Sequence, residues 1–188
     1  MVFLVDIKAK ERLYREVEEL MLKNGFNAAT PYWRRTSNET IACLFIENYN
    51  SSYLFYISIG VYVIGLDNRG TKKPKLRQMH AWVRLRQLIP VTTQSNGNIV
   101  LKGNGIEDTN KTVDEVLDTI QRVGLKILDD LSSLDGTKRV LEYWGEKRWT
   151  IGPLLKEKLY GTASIRIRGT LPLRDWEIAG SVDPYHKS

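Results

Sequence analysis

Two histidines, one cysteine and one dense basic tract are the side chains of this 188-residue chain whose types invite chemistry. His80, in Met79-His80-Ala81-Trp82, has the ionisation range of a general acid or base. The other histidine, His186, lies close to the C-terminus. A protein zinc site takes three or four ligands, and no His or Cys spacing here supplies them, so no metal site is expected. His80 is therefore expected to be a strand histidine with ordinary hydrogen bonds. Cys43 stands between Ala42 and Leu44 in an apolar run. Reactive thiols need exposure and a nearby cation, whereas unpaired cysteine is among the most buried residue types, so Cys43 is expected in the core. Glu18-Glu19 and Asp129-Asp130 are sequence neighbours, about 100° apart on a helix, which suits solvated faces rather than a shared proton. Gly103-Asn104-Gly105 lacks the later glycine of a dinucleotide loop, and no phosphate-loop lysine motif or Gly-x-Ser-x-Gly elbow occurs. No catalytic, cofactor-binding or metal-binding residue is assigned on these grounds, and no cofactor is expected.

The basic tract is different. Arg69, Lys72, Lys73, Lys75, Arg77, Arg84 and Arg86 face Asp67 alone between residues 67 and 86, so this window accounts for the whole formal net charge of +6. Such a patch attracts phosphate, anionic lipid or an acidic protein face over about one Debye length, roughly 8 Å in physiological salt. His80, Trp82, Arg84 and Arg86 alternate along one face of an expected strand, and the loop from Arg69 to Arg77 leads into it. Tryptophan with arginine is a common interface anchor, and arginine beside an aromatic ring also suits single-stranded nucleic acid. The plainer alternative is a solvated lysine loop beside a tryptophan hidden under a C-terminal helix. Trp33, Arg34 and Arg35 extend the patch if their strand lies nearby.

These groups need a scaffold, and composition bounds it. Hydrophobic residues make up 42% and charged residues 27%, ordinary for a globular chain and unlike a disordered or fibrous one. No apolar run approaches the roughly 18 residues of a membrane span, so no membrane partner is expected. One cysteine excludes a disulfide framework. Met1 to Val5 meets Asp6 with no positive leader, which makes the cytosol the expected compartment. Asn38, Asn50 and Asn110 begin Asn-x-Ser/Thr triplets, read there as chance.

Periodicity then places the elements. Leu13, Val17, Leu20 and Met21 form one helical stripe between Asp6, a candidate cap, and Asn24-Gly25. Strand-like runs follow at Pro31–Thr36, Thr40–Asn48, Tyr53–Ile64 and Met79–Leu88, with a bend or bulge expected near Gly60. Residues 92–105 read as an exposed hairpin or excursion. Val113, Val116, Leu117, Ile120, Ile127, Leu128 and Leu131 recur at helical spacing. Further helices are expected from Asp135 to Gly145 and from Gly152-Pro153 to Gly161, then a short strand at Ser164–Arg168. Elements segregated in this way give an α+β fold: an antiparallel meander of about four to five strands, with an N-terminal helix and C-terminal helices packed on one face. One domain over residues 1–188 is expected.

Several segments carry a resemblance in order and spacing: the Asn24-Gly25-Phe26 turn, Tyr32-Trp33, the strand Tyr56-Ile57-Ser58-Ile59-Gly60-Val61, the strand Arg84-Leu85-Arg86, and the stretch from Val123 to Glu142. Over residues 10–142 the chain resembles the bacterial domain-of-unknown-function family 4304, leaving 143–188 as an extension. The resemblance implies a small bacterial α+β protein and no established activity, cofactor or catalytic residue. Three functions remain open at this point. One is a non-enzymatic interaction module, immunity- or adaptor-like, meeting an acidic protein partner. Another is a nucleic-acid binder using the same surface, and the third an enzyme of unknown class.

Overall fold

The computed structural model describes residues 7–29, 32–48, 54–88, 94–95, 98–100 and 106–161. The candidate cap Asp6, the glycine pair 103–105 and the expected strand at 164–168 lie outside them. The first helix, α1 (Ile7–Lys23), buries Ala9, Leu13, Val17 and Met21 at a spacing of four. It stops where Gly25 adopts φ 78°, which lets the Phe26 N–H return to the Met21 carbonyl at 3.0 Å.

An antiparallel sheet follows, in the order β1 (Asn27–Ala29), β2 (Tyr32–Thr36), β3 (Thr40–Asn48), β4 (Leu54–Val63), β5 (Ala81–Arg84) and β8 (Thr150–Ile151). A small hairpin, β6 (Gln94–Ser95) and β7 (Asn98–Val100), joins the start of β4 through Leu54↔Val100 and Phe55↔Ile99. The strand count exceeds the expected four to five because the rim strands are too short to show alternation in sequence.

β3 and β4 pair without interruption from Thr40↔Val63 to Asn48↔Phe55, so no bulge interrupts them at Gly60. The glycine answers a packing need instead. A Cβ at Gly60 would lie 2.9 Å from Met79 Cγ and 3.2 Å from the Ala81 carbonyl oxygen. The missing side chain lets the 64–80 connection cross the sheet closely. A second difference lies at the end of β5. The strand stops at Arg84, and Leu85–Leu88 forms one helical turn, α2. The Gln87 side chain accepts the Arg84 N–H at 3.1 Å, and Leu85 and Leu88, three apart, are both buried. Apolar residues three apart suit a helical turn better than a strand.

The remaining helices among the described residues are α3 (Ile106–Thr119), a π-helical turn (Ile120–Gly124), α4 (Leu125–Asp130), α5 (Leu134–Trp144) and α6 (Pro153–Tyr160), with 3-10 turns at Leu76–Gln78 and Glu146–Arg148. The Ser133 hydroxyl caps α5 by accepting the Gly136 N–H at 3.0 Å. Gly136 is enforced by space, since a Cβ there would lie 2.0 Å from the Asp130 carbonyl oxygen. These helices and α1 share one buried apolar cluster with Leu44, Ile57, Ile59, Val61 and Val83 of the sheet. Thr40 Oγ1 donates to the Leu131 carbonyl at 2.7 Å in the interior. Arg35 reaches the Leu128 carbonyl and the Asp129 carboxylate while lying 4.6 Å over the Phe26 ring. Asp129 and Asp130 are therefore ion-paired, with Arg35 and Arg139, rather than merely solvated.

Candidate functional site

Strand alternation leaves a second sheet face, turned away from the helices, and register fixes its layout. One row runs Thr36, Ile41, Tyr62; the next Arg34, Cys43, Gly60, Trp82; the next Tyr32, Phe45, Ser58, Arg84; the last Glu47, Tyr56. Ile41, Cys43, Phe45 and Tyr62 form a small buried cluster with Leu76 and Met79 from the 64–80 connection, and Tyr32 and Trp82 pack against it half-buried. Among the described residues, that connection is what covers this face. Trp82 is half-buried and packs against the cluster to which that connection contributes Leu76 and Met79.

His80 and Asp67 hold the connection down. The Val63 N–H donates to His80 Nδ1 at 2.9 Å, so the ring hydrogen is on Nε2, which donates to Asp67 Oδ2 at 2.8 Å. The Tyr62 hydroxyl and the Arg69 N–H donate to Asp67 Oδ1 at 2.7 and 3.0 Å, and Arg69 also ion-pairs with Asp67. His80 stacks on Tyr62 with ring centres 4.6 Å apart. Arg69, and then Tyr62 and His80, hold the Asp67 carboxyl far below the usual carboxylate range, against an opposing push from burial. Burial lowers the His80 imidazole below its ordinary value; Asp67 opposes that, and Arg69 adds to it. His80 is 4% exposed with both nitrogens engaged, so neither is free for acid–base work on a substrate.

The predicted surface residues separate into four groups. Arg69 is neutralised by Asp67, and His80 is interior. Lys72, Lys73, Lys75 and Arg77 are exposed, with no carboxylate in ion-pair range among the described residues. Trp82 and Arg84 lie on the face itself, half-buried, with the Arg84 guanidinium 3.9 Å over the Tyr56 ring. Arg86 departs from the expected strand face, because the helical turn begins one residue before it. The Trp33, Arg34, Arg35 cluster divides as well. Trp33 is buried toward the helices, Arg35 is tied to α4, and Arg34 alone reaches the outer face beside Cys43.

Sequence reasoning missed Glu47 and Tyr56, which only strand register brings beside Arg84. The Ser58 hydroxyl lies 3.5 Å from Glu47 Oε2. Burial raises the Glu47 carboxyl above its ordinary value, while Arg84, the Ser58 hydroxyl and Arg77 oppose the rise. Cys43 is fully buried, and burial pushes its thiol up to about 12, which makes it a core residue as expected. Elsewhere, a cleft of about 390 Å³ between α1 and α3 is lined by Arg15, Glu16, Glu19 and Lys23, a balanced set without a directional field. Among the described residues no three His, Cys, Asp or Glu side chains gather to hold a metal, and no helix is long and apolar enough to cross a membrane.

The sequence profile of the domain of unknown function DUF4304 matches residues 17–130. The chain belongs to that family. Comparison with curated proteins and with solved structures gives no match. The DUF4304 region runs from the middle of α1 to the end of α4, so it contains the outer face, the basic loop and the Asp67–His80 contact. It stops short of α5, β8 and α6.

Proposed function

We propose that this protein is a non-enzymatic interaction module, immunity- or adaptor-like, that receives an acidic protein surface on the outer sheet face and its basic loop. What supports this reading is the exposure of Lys72, Lys73, Lys75 and Arg77, which lack an ion pair among the described residues, on the connection whose Leu76 and Met79 form the cluster that the half-buried Trp82 packs against; Arg77 also lies in the field of Glu47. Other arginines with resolved ion pairs, such as Arg12, Arg35, Arg122 and Arg139, meet a carboxylate of their own chain. Unpaired surface charge beside an aromatic anchor is what a complementary partner would neutralise. The immunity or adaptor role is an analogy of size and build.

Nucleic acid is the second reading, favoured by arginine and aromatic residues sharing one sheet face. Base stacking needs free ring faces, however. Phe45 and Tyr62 are buried, Tyr62 is stacked on His80, and Tyr56 is covered by Arg84. Affinity purification from nuclease-treated cells, with the wild type and with Lys72→Glu/Lys73→Glu/Lys75→Glu/Arg77→Glu, separates the readings. The expected result is a stoichiometric acidic protein that the variant no longer retains. An unchanged partner set in the variant overturns the proposal. If only nucleic acid is retained, with affinity falling steeply as salt rises, the second reading replaces it.

A further inference from the structure

We infer that the Asp67–His80 contact is a proton-sensitive latch: a proton on His80 frees the basic loop from the sheet. His80 Nδ1 takes the N–H of Val63, the last residue of β4. His80 Nε2 gives its hydrogen to Asp67, four residues further along the loop, and Tyr62 and Arg69 hold the same carboxylate. One ring therefore ties the end of β4 to the start of the loop. The His80 backbone is separately fixed, its N–H to the Val61 carbonyl at 2.9 Å and its carbonyl to the Gly152 N–H at 2.7 Å. The strand thus stays in place while the side chain answers to protons.

A protonated imidazole carries a hydrogen on both nitrogens. Turning the ring over does not help, because either nitrogen would then point a hydrogen at the Val63 N–H. No rotamer of the charged ring keeps that bond, and the ring must leave. The groups facing it are Asp67, which favours the charge, and Arg69, whose Nη2 lies 3.4 Å from Nε2 and opposes it. Both nitrogens there carry hydrogens, so the 3.4 Å approach is a repulsive contact rather than a bond. Tyr62, stacked on the ring, brings its hydroxyl to Asp67 rather than to the imidazole. A departing imidazolium draws Asp67 with it, and the loop loses its attachment at that end. Its other holds are the Tyr62 hydroxyl on Asp67 Oδ1 at 2.7 Å, the Ile64 N–H on the Glu39 carbonyl at 2.8 Å, and the apolar seat of Leu76 and Met79.

The latch rests on hydrogen-bond geometry, and only its consequence, control of the proposed contact surface, rests on the reading above. Nitrogen NMR of the full chain should find neutral His80 with its hydrogen on Nε2. Amide exchange over residues 64–79, corrected for intrinsic rates, should lose protection in the same pH step in which His80 titrates. Below that midpoint, the latched population falls roughly tenfold per pH unit. His80→Gln keeps an acceptor for Val63 and a donor for Asp67 but does not titrate, and should remove the step. Should that variant misfold, Asp67→Asn gives a second readout: losing the carboxylate should lower the His80 midpoint. Titration of His80 without a change in loop exchange overturns the latch. So does a step that survives in His80→Gln, or an unmoved midpoint in Asp67→Asn. If the charge-reversal variant keeps its partner while the loop still opens on acidification, the contact surface falls and the latch stands.

Discussion

On one face of β3 and β4, Leu44, Ile57, Ile59 and Val61 meet side chains of α1 and of the helices that follow the sheet. On the other, Ile41, Cys43, Phe45 and Tyr62 meet Leu76 and Met79 from the connection immediately after β4. The first face is closed by apolar area contributed from distant parts of the chain. The second is closed by a short local segment held through hydrogen bonds around one carboxylate. Burial of apolar area is not tied to one geometry, whereas a buried hydrogen-bond network depends on the protonation and direction of each member. Stability should therefore concentrate on the helix side, and sensitivity to solution conditions on the loop side.

The largest effect is expected at Gly136, on the helix side. Gly136→Ala places a methyl group 2.0 Å from the Asp130 carbonyl oxygen, and α5 must shift to relieve it. A loss of about 4 kcal/mol or more in urea unfolding is expected, beyond the usual upper end for overpacking. A variant as stable as wild type would remove the space argument. Next comes a matched pair. Ile59→Ala, fully buried against the helices, should cost about 4 kcal/mol, while Leu76→Ala, in the loop seat, should cost about 2 kcal/mol. Equal losses would erase the distinction between the faces.

Acidity sharpens the comparison further. His80 sits below its ordinary value of about 6.5, so its contribution to stability is complete above that pH and is lost as pH falls toward the lower folded value. Asp67 sits far below the ordinary carboxylate value of about 3.9, so its contribution persists until much stronger acid. Urea midpoints should therefore decline first below about pH 6.5 and again below about pH 4, and His80→Gln should abolish the first decline only. A wild-type midpoint that does not change from about pH 7.5 to 5.5 would contradict this. The smallest effect on folding belongs to the exposed cations. Lys72→Glu/Lys73→Glu should change stability by no more than about 0.5 kcal/mol while weakening partner capture.

Much of the scaffold was legible because strand alternation is strict. Phe55, Ile57, Ile59, Val61 and Val63 separate from Tyr56, Ser58, Gly60 and Tyr62 by parity alone, and the structure keeps that division. Helix ends were legible where glycine or proline marks them, as at Gly25, Gly145, Pro153 and Gly161. The site was only partly legible. Net charge located the basic loop, but pairing is a three-dimensional property, so nothing local showed that Asp67 would neutralise Arg69 and hold His80 in the interior. Trp33, Arg34 and Arg35 read as one cluster because adjacent residues look contiguous in sequence, whereas on a strand they point in opposite directions. Glu47 and Tyr56 became neighbours of Arg84 only through register across β3, β4 and β5.

The sheet ends on very short strands: β1 has three residues, β8 has two, and β6, the last strand of the side hairpin, has two. Each border therefore offers few unpaired backbone groups along which a foreign chain could add itself. Among the described residues, recognition by lengthening the sheet has little template, which protects the fold from linear self-association. Among the described residues, the broad side of the sheet offers far more surface than its margin.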